Sequence, residues 1–151
     1  THCTSSAASD VYKRQVPCLK FLGRKNTIDL VGEKIDSSLA SKILDKFDGM
    51  SLLALKKEKL SYYALIVDKN FLGESIEDED IESELCQIYH YKLARELGQL
   101  DKAKLIKLDC PIETYYKLFS NEYEMIGNVK VEPLKLVEAK ESIKLLESLN
   151  V

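Results

Sequence analysis

The sequence holds no tryptophan, three prolines, two histidines and four cysteines in 151 residues. Each shortage removes a class of protein. Cys3, Cys18, Cys86 and Cys110 are scattered with no CxxC pair, so neither a zinc ribbon nor the disulfide framework of a small secreted domain is written here. Reduced thiols in a cytoplasmic protein are the expectation. Cys86 and His90 stand four apart in an expected helix, the spacing of a metal pair, but no second pair accompanies them and core packing explains them better. No apolar run approaches the roughly 20 residues of a membrane span, and no charged start leads into the apolar segment of a secretory signal. A net charge of −3 with both signs interspersed offers no basic face for nucleic acid. What remains is an ordinary composition, 45% hydrophobic and 31% charged, with room for one domain and a real core.

Residues 1–15, THCTSSAASDVYKRQ, show no apolar periodicity. The run SSAASDVYKRQ looks like translated adapter sequence, of the kind left where a gene is assembled from environmental (metagenomic) fragments. It is set aside as a non-native or disordered leader, which leaves residues 16–151 as a single domain. The expectation is that this domain is a fragment of a larger protein whose preceding part is missing.

From Val16 onward short apolar runs alternate with helical patterns. CLKFLG (18–23) and TIDLVG (27–32) alternate like strands bounded by glycines. Asp36-Ser37-Ser38 offers a helix N-cap, Leu39, Ile43, Leu44 and Phe47 repeat at helical spacing, and Gly49 supplies a stop. SLLALKK (51–57) and YYALIVD (62–68) form a hairpin. An acidic run, Glu77 to Glu84, opens a second helix whose apolar face includes Ile81, Leu85, Ile88 and Leu97, closed by Gly98. AKLIKL (103–108) is a further strand, and Pro111 begins a third helix near 111–119. GNVKVEP (127–133) is a loop segment, and residues 136–148 form a last amphipathic helix. This order predicts a small α+β domain, a mainly antiparallel sheet with helices on one face.

One stretch, FLGRKNTIDLVGEKI (21–35), invites a functional reading. It is not a Walker loop, because Gly23 and Gly32 are nine apart and Glu33 rather than lysine follows the second. It lacks the GxGxxG of a dinucleotide site as well. Arg24 carries a planar fork suited to a phosphate, a carboxylate or a ribose edge, and Asn26 tolerates left-handed backbone. The residues are those of a sharp turn or of a hinge, with Glu33 and Lys34 as a surface pair beside it.

FLGRKNTIDLVGEKI also resembles the junction motif of the adenylate-forming superfamily, where a Gly-Arg pair leads from a large nucleotide-binding body into a small mobile C-terminal lid. HYKLARELGQL (90–100) and GNVKVEPL (127–134) narrow the resemblance. Together they are similar to the C-terminal domain of the auxin-responsive acyl acid-amido synthetases and their bacterial relatives, over Val16 to about Leu134.

The resemblance implies an adenylate-forming-enzyme C-terminal-domain-like fold and an ATP-dependent ligase. Such an enzyme makes an acyl-adenylate from Mg-ATP and a carboxylic acid, then passes the acyl group to an amine. Gly23 and Asn26 would be the hinge, Arg24 would approach ribose or phosphates, and Lys130 would be the catalytic lid lysine. Asn26 stands where the wider superfamily has aspartate. Attack of the carboxylate on the α-phosphate builds negative charge, which a positioned Lys or Arg stabilises without acting as nucleophile. The partner implied is the N-terminal adenylation body, without which the fragment is inactive and holds no cofactor tightly; no nucleic acid and no membrane are expected. Two alternatives stay open: a stand-alone α+β interaction or regulatory module, and the lid of a phenylacetate-CoA-ligase-like thioester former.

Overall fold

The structure, a computed structural model, describes residues 26–70, 75–120 and 130–149. It begins with a small hairpin, β1 (Thr27–Ile28) against β2 (Ile35–Asp36), whose registers are Thr27 with Asp36 and Ile28 with Ile35. The expected strand 18–23 lies outside the described residues. Of the expected strand 27–32 only Thr27–Ile28 is extended.

Helix α1 (Ser37–Phe47) starts where its sequence signal puts it: the Asp36 carboxylate accepts the Leu39 amide at 2.8 Å. Its stop is one residue earlier than expected. Asp48, not Gly49, takes the left-handed turn, with φ 48° and its amide bonded to the Leu44 carbonyl. Gly49 opens β3 instead, where a Cβ would come within 2.7 Å of Leu65 Cδ1. Its smallness serves close packing.

Strands β3 (Gly49–Leu55) and β4 (Tyr62–Asp68) form the expected antiparallel hairpin. The acidic run then opens α2 (Asp78–Leu85), where Asp80 reaches back to accept the Glu77 amide at 2.9 Å. The helix expected to run on to Leu97 breaks at Cys86–Ile88, and a separate α3 spans Tyr89–Glu96. At 100° per residue, a straight helix would turn Ala94 about 180° away from Leu85. The break lets both be buried. Gly98, at φ 69°, closes α3 as expected.

Strand β5 (Lys104–Leu108) and helix α4 (Pro111–Phe119), with proline in its first turn, follow the sequence reading closely. A four-residue strand, β6 (Leu134–Val137), was not anticipated. The final helix α5 accordingly starts later, at Lys140–Leu149.

The main sheet has the order β5-β4-β3-β6. The chain is α+β, as expected, but two particulars differ. The sheet is mixed, because β5 and β6 join the central hairpin in parallel. Helices also cover both of its faces. On one side Leu52, Ala54, Tyr63, Leu65 and Val67 pack with residues of α1, α2 and α3, among them Ile43, Ile81 and Tyr91. On the other, Leu53, Leu55, Tyr62, Ala64 and Ile66 pack with Tyr115 of α4 and Ile143 and Leu146 of α5. A strand buried on both faces needs a continuous apolar run, and YYALIV is one. Among the described residues no helix is long and apolar enough to cross a membrane.

Candidate functional site

The β1–β2 hairpin is built from unusual backbone. Asn26 (φ 64°), Gly32 (φ 116°) and Lys34 (φ 51°) all have positive φ within nine residues. For the two side-chain-bearing residues this region is disfavoured by about 1–2 kcal/mol, so the surrounding bonds must hold it. They do so at both ends. The Ser37 amide and hydroxyl both donate to the Asn26 carbonyl, at 2.8 and 3.2 Å. At the tip, Glu33 accepts the Leu30 amide at 2.8 Å and the Val31 amide at 2.9 Å, and the Gly32 amide donates to Asp29.

Glu33 therefore contradicts its expected place on the surface. It is 1% exposed, and its remaining partner is the buried hydroxyl of Tyr63 on β4. Burial, and next the negative charge of Glu33, push the Tyr63 hydroxyl far above the ordinary tyrosine range. Lys34 next to it does not share that burial. Nothing in the local pattern of GEK distinguishes a buried carboxylate from a solvated one; only the later packing of β4 decides it.

A second segment faces the hairpin. Residues 130–133 run into β6 and are fixed from beneath: the Glu132 carbonyl accepts the Ser51 hydroxyl at 2.7 Å and its amide donates to the Tyr115 hydroxyl oxygen at 3.2 Å. The Leu52 amide adds a bond to the Pro133 carbonyl at 2.9 Å. A cleft of about 570 Å³ is lined by both, with Asn26 and Ser37 contributed by the hairpin and the start of α1 and Lys130 and Lys135 by the segment and β6.

Two of the four residues singled out in the sequence thus share one cleft: Asn26, in the left-handed conformation of a chain reversal, and the exposed Lys130. Gly23 and Arg24 lie outside the described residues. Lys135 is tied to Glu132 at 2.9 Å, whereas Lys130 makes no ion pair among the described residues. Among the described residues, its ammonium is thus a cation this cleft can offer to an anionic ligand.

A larger cleft, about 920 Å³, lies between the β3–β4 turn and α5. Its charges largely satisfy one another: Lys56 with Glu138 at 2.9 Å, Lys57 with Glu147 at 2.7 Å, and Lys140 with Glu58. None of the sequence-predicted site residues lines it.

The third polar cluster is structural. Glu82 of α2 accepts from Tyr91 at 2.8 Å, from Arg95 at 2.5 Å and from the Ala103 amide at 2.8 Å, joining α2, α3 and the start of β5. Burial works to raise the Glu82 carboxyl, but the Ala103 amide, Arg95 and Tyr91 outweigh it and hold the group below its usual range. Cys86 is half-buried, its thiol pushed up by burial and by Glu82, and His90 is exposed against the ring of Tyr89. Tyr91 and Arg95 both bond Glu82 of α2, whereas the exposed His90 does not take the core position expected for it.

No protein-family model matches the chain, and no curated protein matches it either.

Proposed function

We propose that this chain is the C-terminal lid of an ATP-dependent, acyl-adenylate-forming ligase of the acyl acid-amido synthetase type, working with an adenylation body that these residues do not include. The observation that carries the reading is the shared cleft: Asn26, in left-handed backbone two residues after Gly23-Arg24, and Lys130 both line it. A hinge needs a residue that accepts such geometry at the boundary of a domain, and the lid needs a cation near it. The resemblance of FLGRKNTIDLVGEKI, HYKLARELGQL and GNVKVEPL to that family supplies the rest.

In this reading Arg24 approaches the ribose or phosphates of Mg-ATP. The Lys130 ammonium stabilises charge as the carboxylate attacks the α-phosphate, a role that needs a fixed donor and no nucleophile. Rotation about Asn26 then withdraws Lys130 and opens the acyl-adenylate to the amine. The lid meanwhile excludes water from a hydrolysable intermediate. The acid and the amine are chosen by the body.

The test is to recover the coding sequence upstream of Val16 and produce the whole protein. ATP–pyrophosphate exchange would then be measured against a panel of carboxylic acids, followed by amide formation with amines. Exchange dependent on an acid, with amide as product, is expected. The 151-residue chain alone should bind neither ATP nor AMP measurably, because a tether supplies an effective concentration of about millimolar that the separate lid lacks. A recovered frame without an adenylation body, or tight AMP binding by the isolated chain, overturns the proposal.

A further inference from the structure

Glu33 is a buried carboxylate to which the proposed reaction gives no task. Its position is unusual in a second way. Both its oxygens face inward: Oε1 meets the Leu30 amide and the Tyr63 hydroxyl, and Oε2 meets the Val31 amide. One side chain thus ties the tip of the β1–β2 hairpin to β4, an inner strand of the main sheet, thirty residues away in sequence. Tyr63 is itself held edge-on to Tyr91, ring centroids 6.0 Å apart, and Tyr91 bonds Glu82 at 2.8 Å. A continuous buried polar and aromatic line therefore runs from the hairpin to α3.

We propose that Glu33 and Tyr63 form a latch that makes the hairpin following Asn26 one rigid piece with the sheet. The inference rests on the reading of Asn26 as the pivot for its purpose, though the latch itself stands or falls alone. A pivot transmits rotation only if the chain immediately after it is rigid. The hairpin is short, two paired residues on each side, and a two-stranded ribbon of that size has little stability of its own. Its apolar anchor is Ile35, fully buried, with Ile28 and Leu30 packed part-way against the core. Those contacts leave the tip, with its positive-φ residues Gly32 and Lys34, without a directional restraint. Glu33 provides one, by converting two orphan tip amides and a core hydroxyl into a single three-way junction. A hydrogen bond to an ionised group is stronger than a neutral one, and in a buried site it is fixed in direction as well.

The latch is tested on the 151-residue chain by residue-resolved amide hydrogen exchange, comparing wild type with Tyr63→Phe, Glu33→Gln and the double variant. Tyr63→Phe removes only the hydroxyl. The Leu30 and Val31 amides should exchange about tenfold faster or more, the scale of one lost charge-assisted bond, while amides of the β3–β4 ladder change by much less. Because both groups act through one junction, the double variant should open the hairpin no further than about threefold beyond the worse single variant. Equal acceleration across hairpin and ladder would mean ordinary loss of stability and would overturn the latch. So would unchanged Leu30 and Val31 amides, or effects in the double variant that simply multiply. Failure of the pivot reading shows elsewhere, in ATP–pyrophosphate exchange by the whole protein, and leaves these exchange rates untouched.

Discussion

The carbonyl of Asn26 accepts two hydrogen bonds from Ser37, one from its amide at 2.8 Å and one from its hydroxyl at 3.2 Å. Ser37 is the first residue of α1 and follows the Asp36 cap, so the left-handed residue before β1 is bolted to the start of a helix rather than left at the end of a loop. This fixes what substitutions there must do. Asn26→Gly keeps the backbone bonds and accepts φ 64° freely, so stability should change by less than about 0.5 kcal/mol. Asn26→Val should cost about 1–2 kcal/mol, because a β-branched side chain is poorly accommodated there. Urea unfolding of the three proteins checks this. Valine tolerated as well as glycine would mean that Asn26 is not held in that conformation in solution.

Acid should weaken the protein through Glu82. Its carboxyl is held below the ordinary range in the folded chain, against an unfolded value of about 4.3. The group therefore adds stability that is complete above the unfolded value and is lost as pH falls through the lower folded one. Glu82→Gln should lower stability at neutral pH by about 2 kcal/mol, since Arg95 loses its carboxylate partner and keeps only the Leu100 carbonyl, and the Glu82 and Arg95 side chains are only 17% and 20% exposed. It should also flatten the fall of stability between neutral pH and pH ~3. Urea midpoints at several pH values read both effects together. Parallel curves for wild type and variant would remove Glu82 from the acid response.

Alkali should act through the buried tyrosines. Tyr62, Tyr63 and Tyr91 all have hydroxyls pushed upward, first by burial and then by neighbouring carboxylates: Glu147, Glu33 and Glu82 respectively. Their folded values lie above the unfolded value of about 10, so the stability they represent is full below that pH and declines as pH rises beyond it. Tyrosinate absorbance should therefore rise partly in step with loss of helical signal, because these three ionise only as the chain opens. A smooth titration of all eight tyrosines with the fold intact would contradict the burial described here.

Much of this architecture could be read from the chain before folding, and the failures have identifiable causes. Asp36 and Pro111 carry their own local geometry, so α1 and α4 begin where the sequence puts them. The run YYALIV also held the evidence that helices cover both faces of the sheet, since a half-exposed strand would alternate. The break at Cys86–Ile88 has no glycine or proline to announce it; it follows from burying Leu85 and Ala94 together. Strand β6 is four residues at an edge, stabilised by its parallel neighbour more than by its own composition. Of the site, Asn26 and Lys130 were legible as residue types in a motif, but their meeting across one cleft depends on Ser51 and Tyr115, 81 and 17 residues from the peptide they clamp. The burial of Glu33 is likewise a long-range fact, decided by Tyr63.

Lys130 offers the sharpest test of the functional proposal, because folding and chemistry separate there. Its side chain is exposed and makes no ion pair among the described residues, so Lys130→Ala should leave the urea midpoint unchanged within about 0.5 kcal/mol. In the proposed whole ligase, the same change should slow ATP–pyrophosphate exchange on the order of 10²–10³-fold, the usual effect of removing one positioned charge donor. Transfer of a preformed acyl-adenylate to the amine should be nearly unaffected if, as proposed, the lid has by then turned Lys130 away. Lys130→Arg should restore part of the exchange, because charge is kept while the compact ammonium becomes a planar fork. Equal losses in both half-reactions would make Lys130 a general electrostatic contributor and remove the support it gives to rotation about Asn26. No loss in either would leave the cleft without its proposed cation, and with it the assignment of this domain as a lid.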